Sequence, residues 1–370
     1  MYLHQLLKTM VKEDASDLFI TVNLPASAKI NGELQPVDEK VLSFDDALEL
    51  VHSSMTEKHI AEYTDTKECN YAIALEDIGR FRISAFWQRE MPGMVIRRIV
   101  TDIPDTEKLG LPPVLKELVM SKRGLLLFVG GTGTGKSTSM ASLIGYRNRN
   151  ARGHILTIED PVEFVHEHGK SMITQREVGM DTESFDAALK SSLRQAPDVI
   201  LIGEIRSQDI MEHALSFAET GHLCIATLHA NNANQAIDRI MHLVPPEQHE
   251  KLQFDLALNL RGIVAQQLVP TRDGLGRKAA IEILLNSPYI SELIKKGEVG
   301  DIKQVMAKSR ELGMQTFDQA LFDLYEAGEI SYTDALHNAD SPNDLRLMIK
   351  LRSNDQTGIG GLKGATLDGD

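Results

Sequence analysis

Four short runs in the middle of the chain, at 125–129, 154–158, 198–202 and 223–227, are almost wholly apolar. Consecutive apolar positions are the pattern of strands buried on both faces. Helical spacing separates them, predicting helices from 136, over 184–194 and from about 208. Strand and helix in alternation predict an α/β fold, a parallel sheet covered by helices. Past residue 229 the spacing predicts helices over 233–243, 247–260, 288–296, 300–311, 316–327 and 331–338, with a strand pair at 263–269 and 279–285.

The first hundred residues carry a different pattern. Alternation predicts strands at 17–22, 69–75, 80–88 and 94–100, Asn31-Gly32 reads as a hairpin turn, and Asp45-Asp46 opens a helix to about 55. This is a small α+β domain on an antiparallel sheet. Prolines 104, 112 and 113 mark 101–113 as a linker. The expected organisation is an N-terminal domain (1–100), the linker, an α/β core (114–285), a helical C-terminal subdomain (286–350) and a polar, disordered tail (351–370).

Composition narrows the picture. A chain of 370 residues, 42% hydrophobic, can build sizeable cores, and a net charge of −14 argues against a nucleic-acid partner. No apolar run reaches the length of a membrane span and the first residues lack a secretory pattern, so a cytoplasmic protein not inserted in the membrane is expected. Cys69 and Cys224 are too far apart to suggest a local metal site and read as buried; Trp87 has a core reading.

The candidate chemistry begins where the first buried run ends. Gly130-Gly131-Thr132-Gly133-Thr134-Gly135-Lys136-Ser137-Thr138 has the G-x-x-x-x-G-K-S spacing between a strand and a helix. Its glycines let successive N–H groups converge on phosphate oxygens, Lys136 supplies a point charge, and the Ser137 hydroxyl is a ligand for Mg²⁺. At the end of the next run, Glu159, Asp160 and Glu163 cluster where an open α/β sheet places its ligands. The 198–202 run ends in Gly203-Glu204, with Glu204 as the acid available to the magnesium shell or to water. His222 and His229 bracket the 223–227 run, too far apart to chelate one metal. His229 reads either as structural or as a group reaching the nucleotide. Arg82 and Arg97 lie on neighbouring strands of the N-terminal domain, where composition alone suggests a solvated face with paired carboxylates.

These motifs resemble the hexameric secretion and type IV pilus motor ATPases. The 130–138 loop looks like that family's Walker A, 157–164 like its Asp box, 198–206 like its Walker B and 220–229 like its His box; 15–18 and 31–34 look like its N-terminal domain. Two cysteines cannot build the tetracysteine zinc module of the assembly ATPases, so the chain resembles the retraction branch, the PilT/PilU group. The segment Tyr289-Ile290-Ser291-Glu292-Leu293-Ile294-Lys295-Lys296 departs from the Ala-Ile-Arg-Asn-Leu-Ile-Arg-Glu of an autonomous retraction motor.

The resemblance implies a PAS-like N-terminal domain, a RecA-like P-loop core and a homo-hexamer hydrolysing ATP with Mg²⁺. ATP would bind between the two domains and close one over the other. Glu163 would be catalytic base or water positioner, Glu204 the Walker B acid, and His222 and His229 coupling residues. Arg82 and Arg97 would approach the phosphates. The implied setting is the cytoplasmic face of the inner membrane, with a platform protein of the pilus machine and a paralogous retraction ATPase as partners. Two other classes remain open, an adaptor ring that stabilises the paralogous motor and a small-molecule kinase built on the same loop.

Overall fold

The computed structural model describes residues 2–30, 32–99 and 102–352. They divide into two compact units, Met1–Asp102 with Glu163–Val165, and Ile103–Val162 with His166 onward.

The first unit opens with helix α1 (Tyr2–Lys12). Its Leu3, Leu6, Leu7 and Met10 recur on one face and are buried. Strands β1 (Asp17–Thr21), β2 (Pro25–Ile30) and β3 (Glu33–Val41) follow, then helices α2 (Phe44–His52) and α3 (Glu57–Thr66), then β4 (Glu68–Leu75), β5 (Gly79–Gln88) and β6 (Met91–Ile99). Among the described residues they form a six-stranded antiparallel sheet in the order β3-β2-β1-β6-β5-β4. The β2–β3 register closes at Ile30↔Glu33 around the expected turn. Gly32 there has φ +88, and Asn31 lies outside the described residues. Ser43 and Asp46 form a reciprocal capping box that starts α2. Phe81 and Ile83 enter the core while Arg80 and Arg82 face away, as alternation requires. Cys69 is buried; Trp87 is half-buried and stacks on Tyr63 with ring centroids 5.7 Å apart.

The second unit runs α4 (Val114–Val119), β7 (Gly124–Val129), α5 (Lys136–Asn150), β8 (Gly153–Glu159), β9 (Ser171–Glu177), α6 (Phe185–Ser192), β10 (Val199–Ile202), α7 (Gln208–Glu219), β11 (Leu223–Leu228), α8 (Ala233–Met241), α9 (His249–Asn259), β12 (Leu260–Pro270) and β13 (Arg277–Leu285). It ends in α10 (Pro288–Lys296), α11 (Ile302–Lys308), α12 (Phe317–Glu326), α13 (Tyr332–His337) and α14 (Pro342–Arg352). Among the described residues the sheet order is β13-β12-β7-β11-β10-β8-β9, parallel except for the β12–β13 pair. Every residue of β7, β10 and β11 is buried. Along β7 the side chains alternate between two cores. Leu125, Leu127 and Val129 join the helices α7 to α14, while Leu126 and Phe128 pack with α4 and α5. Ile290, Leu293, Phe317, Leu321 and Leu345 share the first of these cores with β7.

Several boundaries differ from expectation. The polar strand β9 and the short helix α4 carry weak periodic signals and are additional elements. Helix α14 carries the chain through residues 351 and 352, the first two of the expected tail; the rest of that tail lies outside the described residues. Among the described residues no helix is long and apolar enough to cross a membrane.

Candidate functional site

Strand β7 delivers the chain to Gly130, which turns at φ +151; Gly133 and Gly135 follow at +78 and +84. Gly135 occupies the position before α5, and no side chain caps that helix. The first N–H groups of α5 are therefore left to an anion. The cradle is tight: a Cβ on Gly130 would sit 2.6 Å from the Gln266 carbonyl oxygen, and one on Gly135 would sit 2.8 Å from Gln266 Nε2. The Lys136 ammonium donates to the carbonyls of Gly130 (2.8 Å) and Gly131 (2.7 Å), which holds it over the loop. The Thr134 hydroxyl donates to the Gly131 carbonyl at 2.9 Å, while Thr132 and Gly133 are exposed at the tip. Ser137 and Thr138 lie in the first turn of α5 and are half-buried. Positive-φ glycines, an uncapped helix start, a lysine and a first-turn hydroxyl together fit a nucleoside triphosphate with its metal ion.

Gln266 is a residue that sequence reasoning missed. It lies on β12, 3% exposed. Its Nε2 donates to the Thr134 carbonyl (2.9 Å) and its Oε1 accepts the Ser139 hydroxyl (2.8 Å). One buried amide thus braces both the loop and the helix that follows it. Only the parallel pairing of β12 with β7 brings it there, and no local pattern announces that pairing. Gln266→Leu removes two hydrogen bonds and leaves the buried Ser139 hydroxyl without its acceptor. The expected result is a KM for ATP raised about tenfold, the equivalent of one net hydrogen bond of about 1.4 kcal/mol, with kcat changed less. Steady-state kinetics check this, and a wild-type KM would exclude the bracing role.

The acidic residues diverge. Glu159 accepts hydrogen bonds from Thr157 (2.6 Å) and Gln175 (3.3 Å). Asp160 is 3.4 Å from Arg206 Nη1. Glu163 is exposed, and the N–H of its neighbour Val162 is held by the buried Glu177 at 3.1 Å. Glu204 pairs with Arg206 Nε (2.5 Å) and with His229 Nε2 (3.1 Å). The Glu204 hydrogen bond, assisted by the charges of Glu204 and Asp160, raises the Arg206 guanidinium above its usual range. Asp160, Glu204, Arg206 and His229 thus form one connected chain of polar contacts past the ends of β8, β10 and β11, where such sheets bind ligands. A Cβ at Gly203 would meet the Ile158 carbonyl oxygen and Glu159 Cα at 3.2 Å, so the position before Glu204 leaves little room for a side chain.

His229 and Gly131 also line a common cavity of about 600 Å³, walled by Ala230, Asn231, the Gln235, Asp238 and Arg239 face of α8, and His242 just past that helix. His222 sits elsewhere. It lies before β11, bonded to Thr220 (3.1 Å) and the Phe217 carbonyl (3.2 Å). The six residues of β11 put about 20 Å between the two histidines. In the first unit Arg82 lies directly opposite Arg97 across β5 and β6. Arg97 Nε donates to Asp17 Oδ1 at 2.8 Å, the carboxylate pairing of a sheet face.

Comparison with known proteins gives this geometry a family. A model described as Type II/IV secretion system protein matches residues 1–286. The chain belongs to that secretion ATPase family. The Pseudomonas aeruginosa type IV pilus ATPase PilU is 58% identical over 353 residues, 95% of this chain and 92% of PilU. PilT of the same organism, a type IV pilus retraction ATPase, is 36% identical over 92% of this chain and 98% of its own length. A crystal structure of the pilus retraction motor PilT with bound ADP matches at a TM-score of 0.88 and 38% identity, covering 93% of this chain and 98% of that one. The secretion ATPase chain described here therefore has a P-loop ATPase fold, with the small α+β domain preceding the core.

Proposed function

We propose that the chain is an ATP-hydrolysing motor subunit that supports type IV pilus retraction, working as a homo-hexamer in the cytoplasm at the inner-membrane face of the pilus machine. The observation that carries this reading is the shared end of one sheet. There the phosphate loop after β7, Glu204 after β10 and His229 after β11 project from three neighbouring parallel strands. The likeness to PilU and PilT supplies the motile context.

In this reading the N–H groups at the start of α5 and Lys136 hold the β- and γ-phosphates. Mg²⁺, held by Ser137 and Glu204, would neutralise charge developing on the phosphate oxygens. Glu163 orients the attacking water, and His229 senses the γ-phosphate through its contact with Glu204. Contacts to the γ-phosphate differ between nucleotide states, so each state favours its own arrangement of the chain, and cycling among them performs work. A platform protein and a paralogous retraction ATPase are the proposed partners.

The test is steady-state ATP hydrolysis by the purified chain with its mass in solution. Expected are a mass six times that of the 41.0 kDa chain and hydrolysis that Glu204→Gln lowers about 10²-fold. The segment 289–296 favours one second reading. It forms α10, whose Ile290, Leu293 and Ile294 are buried while Tyr289 is exposed. Its departure from the motif of an autonomous motor fits an adaptor ring that stabilises the paralogue. An assembled ring that hydrolyses no faster than Glu204→Gln would decide for the adaptor.

A further inference from the structure

Glu282 lies on β13, outside the site described above, and is 2% exposed. A carboxyl group so buried is costly unless it answers donors. It answers two. One oxygen accepts the N–H of Ala233 at 2.8 Å, and the other accepts the N–H of Phe317 at 3.4 Å. Ala233 is the first residue of α8 and Phe317 the first of α12. The N-cap side chains are already committed, Asn232 to the Gln235 N–H (2.9 Å) and Thr316 to the Gln319 N–H (3.3 Å). Glu282 thus takes the donors that the caps leave over. Two divergent N–H groups need two acceptor oxygens, which a carboxylate has and an amide lacks.

The two helices lead to different places. Four residues before Ala233 stands His229, beside Glu204 and the cavity that Gly131 lines. Helix α12 belongs to the C-terminal helices. Its approach is fixed to β13 by Ile283 and Gln315, which exchange backbone hydrogen bonds of 2.8 and 3.1 Å, next to Glu282 in sequence. Asn234 of α8 also donates to the Val299 carbonyl, before α11, at 3.0 Å. The charged groups that act on the carboxyl are Lys303 of α11 and Asp340, before α14, which are ion-paired with each other; the Asp340 N–H in turn donates to Asp318 of α12 at 2.9 Å.

We infer that Glu282 is a positioning residue that links the His229 loop to the C-terminal helices, so that nucleotide state at the phosphate loop reaches α12 through one shared carboxylate. The inference rests on the motor reading, in which His229 senses the γ-phosphate. Because one group serves both helix starts, a shift of the 229–233 loop that loosens the Ala233 bond changes the charge left for the Phe317 N–H. Burial, helped by Asp340 and opposed by Lys303 and the two N–H bonds, pushes this carboxyl up to about 7. Between its ordinary value of 4.5 and 7 the folded state binds a proton that the unfolded state does not. Stability therefore falls as pH rises through that window, and Glu282→Gln abolishes this slope.

The experiment is hydrogen exchange on the full chain, with and without Mg²⁺ and a non-hydrolysable ATP analogue. In the wild type the analogue changes exchange at both 229–236 and 316–320. In Glu282→Gln, which keeps one acceptor oxygen, the change at 229–236 persists and that at 316–320 is lost. Glu282→Gln also lowers kcat about tenfold at an unchanged KM. A wild-type response at 316–320 in Glu282→Gln, or none in the wild type, overturns the inference. His229→Ala separates the two readings. If it keeps the wild-type kcat while Glu282→Gln loses the distant response, the sensing role of His229 falls and the link stands. If it loses activity while Glu282→Gln responds as the wild type does, the link falls.

Discussion

Lys136→Ala is expected to lower the steady-state rate of ATP hydrolysis by about 10²–10³-fold, the usual cost of deleting one preorganised group that stabilises transition-state charge. Lys136 is held by two loop carbonyls, those of Gly130 and Gly131, so its charge sits over the cradle without rearrangement at the moment of reaction. No other lysine lies in the loop from Gly130 to Thr138. The variant should fold normally, because the carbonyls it leaves behind are only partly buried and water can serve them. Hydrolysis within tenfold of the wild type, in a protein with an unchanged melting curve, would mean that the loop does not position the transferring phosphate.

The second large effect is on stability. Gly130→Ala should cost about 2–6 kcal/mol, the sum of about 1–3 for a side chain forced to a glycine-only backbone angle and about 1–3 for overpacking. The angle is φ +151, and the new Cβ would lie 2.6 Å from the Gln266 carbonyl oxygen and 2.7 Å from the Thr134 hydroxyl. Threonine can rotate away. The Gln266 backbone cannot, since β12 is held on one side by β7 and on the other by β13. Thermal unfolding of the second unit should show a midpoint lower by roughly 10 °C. A midpoint within about 2 °C of the wild type would show that the strand gives way at little cost.

These two positions also show how far the sequence could be read. Lys136 and Gly130 were legible because the phosphate loop is local: nine consecutive residues between a buried strand and a helix carry the whole signal. The α/β alternation was legible for the same reason, as β7, β10 and β11 are buried throughout and their apolar runs are unbroken. The acidic stretch at 157–164 announced carboxylates but not their fates, because side-chain partners arrive from other elements. Gln175 on β9 takes up Glu159, and Arg206 takes up Asp160. Glu204 was read as an acid; its pairing with His229 was not, since it depends on β10 and β11 being neighbours. Strand β9 escaped notice because an edge strand with one polar face, Ser171 to Glu177, has no apolar run to declare it. Gln266 and Glu282 were invisible as polar residues inside apolar strands, where composition predicts nothing and only the assembled core gives them partners.

The brace supplied by Gln266 has a bearing on synthesis. The hydrogen bonds that complete the phosphate loop join residues 127 and 132 positions apart, Ser139 and Thr134 to Gln266. At about 5–20 residues per second, a ribosome reaches Gln266 on the order of ten seconds after the loop itself. In that interval the nascent loop lacks its brace, and the β7 run beside it lacks the β12 partner on one edge. Until β12 is made, the loop therefore holds ATP no better than the roughly tenfold weaker level expected of Gln266→Leu, and tight capture of the nucleotide comes late in the making of the chain.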